Sequence, residues 1–164
     1  MLPAMWTTAS ILWFAGCAML QPGGADQLAY AEAIQPLLAE NTVLADEVLG
    51  LAAEVYNDNA EADVDALTEA WRTDVVPLAE HLHAQAALVK PPDAYIERHK
   101  DLVTVWASRA EAYRDLSEAL ALSDAERWAQ ARELANEVKL EEEEWFRTIN
   151  ADFGQNGLLI DQFP

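Results

Sequence analysis

The chain contains one cysteine, Cys17, in 164 residues. No internal disulfide can form, so stability rests on a packed core. One cysteine also excludes the paired thiols of a covalently attached haem. The only methionines are Met1, Met5 and Met19, which leaves no thioether for a His/Met haem or a methionine-rich copper site. Glycine is absent between Gly50 and Gly154. That gap removes the glycine-rich phosphate loop and the glycine-flanked nucleophile turn. The His-Glu-x-x-His zinc signature and the paired Glu-x-x-His of di-iron bundles are missing as well. These absences predict a protein that is not an enzyme and carries no cofactor. Cationic side chains are scarce too, with 10 Lys and Arg against 29 Asp and Glu. The formal charge of −19 far exceeds the magnitude of about 2 to 8 usual for a small domain. Such a field repels phosphate backbones and anionic lipid head groups. It excludes nucleic acid as a partner and favours a basic protein or a cation.

What the chain does contain is helix-forming sequence. Alanine, leucine and glutamate dominate, and strand-like alternation is absent. Four segments show helical periodicity. The first covers about 26–56, with the apolar stripe Leu28, Ala31, Ile34, Leu38, Ala45, Val48, Ala52 and Val55. The second covers about 63–89, with Val64, Leu67, Trp71, Val75, Leu78, Leu82, Gln85 and Val89. Pro36 and Pro77 predict kinks within them. The third covers about 93–120, with Tyr95, His99, Leu102, Trp106, Ala110, Tyr113, Leu116 and Leu120. The fourth covers about 124–153, with Trp128, Ala131, Ala135, Val138, Glu142, Trp145, Ile149 and Phe153. Ser123 and Glu126 have capping-box spacing at its start. Short connections make neighbours antiparallel. The expected fold is all-α, an antiparallel up-down four-helix bundle over 25–153. The apolar tail over 154–164, with Leu158, Leu159, Ile160 and Phe163, is expected to pack back on it.

The N-terminus has a different character. No charged side chain precedes Asp26, and Ala9 to Gly16 form an apolar run too short to span a bilayer. Phe14-Ala15-Gly16-Cys17 resembles the lipobox of bacterial lipoproteins. The resemblance implies a signal peptide over 1–16, cleaved before a cysteine that carries a diacylglyceryl group and usually an amide-linked acyl chain. Residues 17–24, with Gly23-Gly24, then form the lipidated cysteine and a flexible tether. The expected location is the bacterial cell envelope, facing the periplasm or on the outer membrane, with the membrane as partner through Cys17.

Two polar residues, His99 and Glu142, fall on stripe positions where apolar residues belong. Reflection about the hairpin near Leu122 sets His99 level with Glu142 and Trp145. The turn near Pro91 brings His81 and His83 to the same height, and the first turn brings Glu40 near. Histidines and carboxylates in a bundle interior bind zinc or iron, or form a buried pair that fixes register. His99, Glu142 and His81 are therefore the candidate metal ligands. Trp71, Trp106, Trp128 and Trp145 line either core or an apolar pocket. The run Glu141 to Glu144 wraps the helix and reads as solvated, with Lys139 and Arg147 within reach of Glu143. The expected function is a lipid-anchored, non-enzymatic interaction or binding module. The alternative is a periplasmic bundle that binds a metal or a small ligand through buried His and Glu.

Overall fold

The computed structural model describes residues 24–56 and 64–155. Cys17, the signal and most of the tether, the connection over 57–63 and the apolar tail from 156 on lie outside the described residues. The first leg of the fold is α1 (Gly24–Tyr56). The second combines α2 (Val64–Ala70), a π-helical turn (Trp71–Val75) and α3 (Val76–Leu88). A 3-10 turn (Asp93–Tyr95) leads into α4 (Ile96–Leu122), and α5 (Ala125–Gly154) follows. The four legs pack into an all-α antiparallel bundle, as the periodicity requires. Among the described residues, no helix is long and apolar enough to cross a membrane.

Each break in the sequence pattern has its own structural answer. α1 runs on through Pro36 as one helix. At Pro77 the backbone instead widens into the π turn just before it. Pro77 has no N–H to offer the Thr73 carbonyl, and the Val76 N–H donates to the Trp71 carbonyl five residues back. The widening also serves the core. Leu67, Trp71, Val75 and Ala79 are all buried at spacings of four. In a regular helix that spacing drifts by roughly 40° per step, and the wider turn keeps the row facing inward. At the α4–α5 hairpin, Ser123 adopts the left-handed conformation that ends α4. The cap of α5 is Asp124, whose Oδ1 accepts from the Glu126 and Arg127 N–H groups at 3.1 and 3.0 Å. The expected Ser123–Glu126 box is thus replaced by an aspartate cap one residue on.

The buried faces of α4 and α5 follow their predicted stripes closely. On α1 the buried row is Gln27, Tyr30, Ile34, Leu37, Leu38, Asn41 and Leu44, and the expected Leu28 is exposed. α4 packs most extensively against α5 and α3. α1 packs mainly against α3 and the π turn. This leaves space between the C-terminal half of α1 and the N-terminal half of α5.

Candidate functional site

Side chains of antiparallel helices lean toward their own N-termini, hence in opposite directions. This decides where His99 and Glu142 point. His99 leans from α4 toward the Pro91–Pro92 turn. Glu142 leans from α5 toward the α4–α5 hairpin, and meets Trp106 and Arg109 leaning back from α4. Two separate polar clusters result, at different heights in the bundle.

The first cluster belongs to the Pro91–Pro92 end. His99 is buried, and its Nε2 lies 2.8 Å from the Ala86 carbonyl. A carbonyl can only accept, so Nε2 carries the hydrogen and the Tyr30 hydroxyl, 3.1 Å from Nδ1, donates to that nitrogen. Tyr30 stacks on Tyr95 with ring centroids 4.8 Å apart, and Phe153 meets both rings edge-on. The Tyr95 hydroxyl donates to Asp152 Oδ2 at 2.8 Å. Gln27 donates to the Asp152 carbonyl, and the Trp145 indole N–H to the Arg98 carbonyl at 2.7 Å. Burial, with Tyr95 close by, holds the Tyr30 phenol well above its ordinary range. Burial and the bond to Asp152 push the Tyr95 phenol up to about 12. Both therefore stay protonated as donors near neutral pH.

The second cluster centres on Glu142. Its Oε1 accepts from the Trp106 indole N–H at 2.7 Å, from Arg109 Nη1 at 2.9 Å and from Asn41 Nδ2 at 3.1 Å. Oε2 receives the same Arg109 Nη1 at 3.1 Å. The ion pair is shielded, with the Arg109 and Glu142 side chains 6% and 13% exposed. The guanidinium carbon also lies 5.1 Å from the centroid of Trp106, within cation–π range. Yet the cluster is incomplete. Arg109 Nε, Arg109 Nη2 and Asn41 Oδ1 are buried without a hydrogen-bond partner. Native proteins leave few such groups, and each costs about 1–3 kcal/mol. Rotating the Asn41 amide would point its oxygen at a carboxylate, so its present orientation is the favourable one.

These atoms belong to residues lining a partly open cavity of about 760 Å³ in the space between α1 and α5. Leu44, Val48, Trp71, Tyr113, Trp128 and Phe146 form much of its apolar wall. Trp71 meets Tyr113 edge-on at 5.5 Å. Burial raises the Tyr113 phenol, opposed in part by Arg109 nearby. The lining holds four cations, Arg109, Arg132, Lys139 and Arg147, against three carboxylates, Asp46, Glu142 and Glu143. Arg147 is paired with Glu144 just outside the lining, so in a chain of charge −19 this region is close to charge-balanced.

The three expected metal ligands do not converge. His99 uses both ring nitrogens on Tyr30 and Ala86, Glu142 is committed to Arg109, Trp106 and Asn41, and His81 faces solvent 3.6 Å from Glu40. Among the described residues, no group of three His, Cys, Asp or Glu is placed to hold a metal. The four tryptophans divide: Trp71 and Trp128 line the cavity, whereas Trp106 and Trp145 are buried donors. On the glutamate run, Lys139 pairs with Glu143 at 3.8 Å, but Arg147 takes Glu144 and not Glu143. Asn41 and Arg109 were not singled out from sequence. The signal existed, since Asn41 follows Leu38 and Arg109 follows Trp106 by the three-residue step of a core stripe. No protein-family model matches the chain, and no curated protein or solved structure is significantly similar to it.

Proposed function

We propose that this protein is a non-enzymatic binding module of the bacterial cell envelope, held to its membrane by lipid on Cys17, and that its helical bundle takes a small amphipathic molecule into the cavity between α1 and α5. The observation that carries the binding reading is an aromatic-walled space of about 760 Å³ whose lining also includes the polar side chains of Asn41, Arg132 and Asn136. Small-molecule sites typically occupy roughly 300–1,000 Å³ and combine apolar walls with a few convergent polar groups. The anchor rests on the lipobox-like Phe14-Ala15-Gly16-Cys17. Two or three acyl chains at about 0.8 kcal/mol per buried methylene give lasting attachment.

Uptake of the neutral fluorophore N-phenyl-1-naphthylamine tests the cavity. The purified chain should enhance its emission, and Ala135→Trp, which places an indole within the lining, should abolish that enhancement. Equal emission with and without the indole would defeat the cavity reading. Fractionation tests the anchor separately. Cys17→Ala should leave the membrane fraction or remain unprocessed, and normal processing with unchanged membrane association would overturn lipidation at this residue.

A further inference from the structure

We infer that the occupant of this cavity is a long, unbranched hydrocarbon chain, laid parallel to the helix axes in the slot between α1 and α5. The inference rests on the cavity reading above and names the ligand class. Lining side chains come from Asn41 to Ala52 on α1 and from Trp128 to Arg147 on α5. At 1.5 Å per residue these walls extend about 17 Å and about 29 Å. The shorter wall sets the enclosed length, and an extended dodecyl chain is about as long.

The same dimensions exclude bulkier occupants. A volume of about 760 Å³ spread over about 17 Å leaves a mean section of about 45 Å². A further helix, about 10 Å across with its side chains, needs about 80 Å². The slot is therefore too narrow for a partner helix. Its floor also works against a rigid, flat ring system. There Trp71 and Tyr113, from the other two legs, stand at 86° to each other and offer no common plane. A flexible chain follows such a surface, and Leu44, Val48, Leu116 and Phe146 continue it with apolar side chains.

Recognition lies in the chain and not in the charge of a head group. Of the charged lining residues, Arg109 is paired with Glu142, Lys139 with Glu143 and Arg147 with Glu144. Asp46 and Arg132 remain, one of each sign. The wider charge of −19 is screened beyond about 8 Å at physiological salt. The lining thus asks no net charge of the ligand, and a zwitterionic head left at the open side of the slot suits it.

Displacement of N-phenyl-1-naphthylamine by n-alkyl phosphocholines, each kept below its critical micelle concentration, tests this directly. The protein is the full chain carrying Cys17→Ala, which keeps it free of attached lipid and of detergent. Affinity should rise roughly threefold to fourfold per added methylene from octyl to dodecyl. It should then level off, with hexadecyl binding no more than threefold more tightly than tetradecyl. Ala52→Trp fills the end of the slot nearest the α4–α5 hairpin and should move the levelling-off to shorter chains. Leu49→Trp, at an exposed lining position, should act in the same direction, which covers the case in which Ala52→Trp folds poorly. An affinity that ignores chain length, a rise that continues undiminished to hexadecyl, or a levelling-off that neither substitution moves would overturn the chain assignment. Naphthylamine uptake that Ala135→Trp blocks, with no displacement by any alkyl phosphocholine, would sink the hydrocarbon chain and keep the cavity. If no probe entered the cavity, both readings would fall.

Discussion

The two polar clusters of this bundle differ in one decisive respect. At the Pro91–Pro92 end, His99 has a partner on each ring nitrogen, and Tyr30 and Tyr95 each use their hydroxyls. At the cavity, Arg109 and Asn41 keep buried polar atoms with none. Both clusters are built from long-range contacts between helices, and both interrupt an apolar seam. Saturation distinguishes them. A closed network fixes how helices meet and has nothing left to offer a ligand. An open one leaves polar atoms unmet within the wall of a cavity. A polar residue on a core stripe is therefore ambiguous until its partners are counted.

The largest test of that difference is to remove one charge of the open cluster. Arg109→Ala leaves Glu142 shielded without its cation, and a buried pair broken this way typically costs about 3–5 kcal/mol. The paired Arg109→Leu with Glu142→Gln should cost much less, because no buried charge is left uncompensated. Urea unfolding of both proteins measures the contrast. If the single substitution is no worse than the pair, the ion pair is better hydrated than its 6% and 13% exposures indicate, and the open cluster is an ordinary surface feature.

The closed cluster should respond in stability alone. His99→Ala strands the Tyr30 hydroxyl and leaves the Ala86 carbonyl with the Val89 N–H alone, a loss of about 1–3 kcal/mol. Under conditions where the variant stays folded, its uptake of N-phenyl-1-naphthylamine should match that of the unmodified chain. A neutral unfolding midpoint would show that His99 is not held as a bonded core residue. A large fall in that uptake in the folded variant would show that the two clusters are coupled and erase the distinction between them.

Much of the architecture was legible beforehand, and the limits were physical. Helix-forming composition, three- and four-residue spacings and short connections define the four legs. The α5 row from Trp128 to Phe153 is reproduced almost residue for residue, with Trp128, Ala135 and Glu142 the less deeply buried members. On α1 the stripe holds in part: Ile34 and Leu38 are buried and Ala31 and Val48 pack against the core, but Leu28 is exposed, because alanine and leucine occur on several faces of this helix and periodicity alone does not single out Tyr30 and Asn41. Pro77 announced a disturbance but not its form, since a proline kink and a π turn both follow from one missing N–H. At the candidate site, Glu142 stood out as a charge on an apolar row. Level-matching then paired it with His99 because it compared backbone heights. The opposite lean of side chains on antiparallel helices separates those two and brings Glu142 to Trp106 and Arg109. The cavity itself was beyond reach, because it depends on the spacing of α1 from α5, which no local pattern encodes.

The smallest and most selective test concerns Tyr95, at the closed end. Burial and the bond to Asp152 raise its phenol from 10 to about 12. The folded state thus binds the phenolic proton more tightly than the unfolded chain does. The associated stability is fully present below pH 10, and it is lost as pH rises through about 12. Tyr95→Phe keeps the ring between Tyr30 and Phe153 but discards the proton and its bond. At pH 8 the variant should be less stable by about 1 kcal/mol, the usual net worth of one intramolecular hydrogen bond. That deficit should shrink steadily in urea titrations between pH 10 and 12, because only the unmodified chain carries this ionisation. Other phenols and lysines titrate in the same window in both proteins and cancel in the difference. A deficit that stays constant to pH 12 would mean the Tyr95–Asp152 bond does not hold the proton. The end of the bundle taken as saturated would then contain a loose donor of its own.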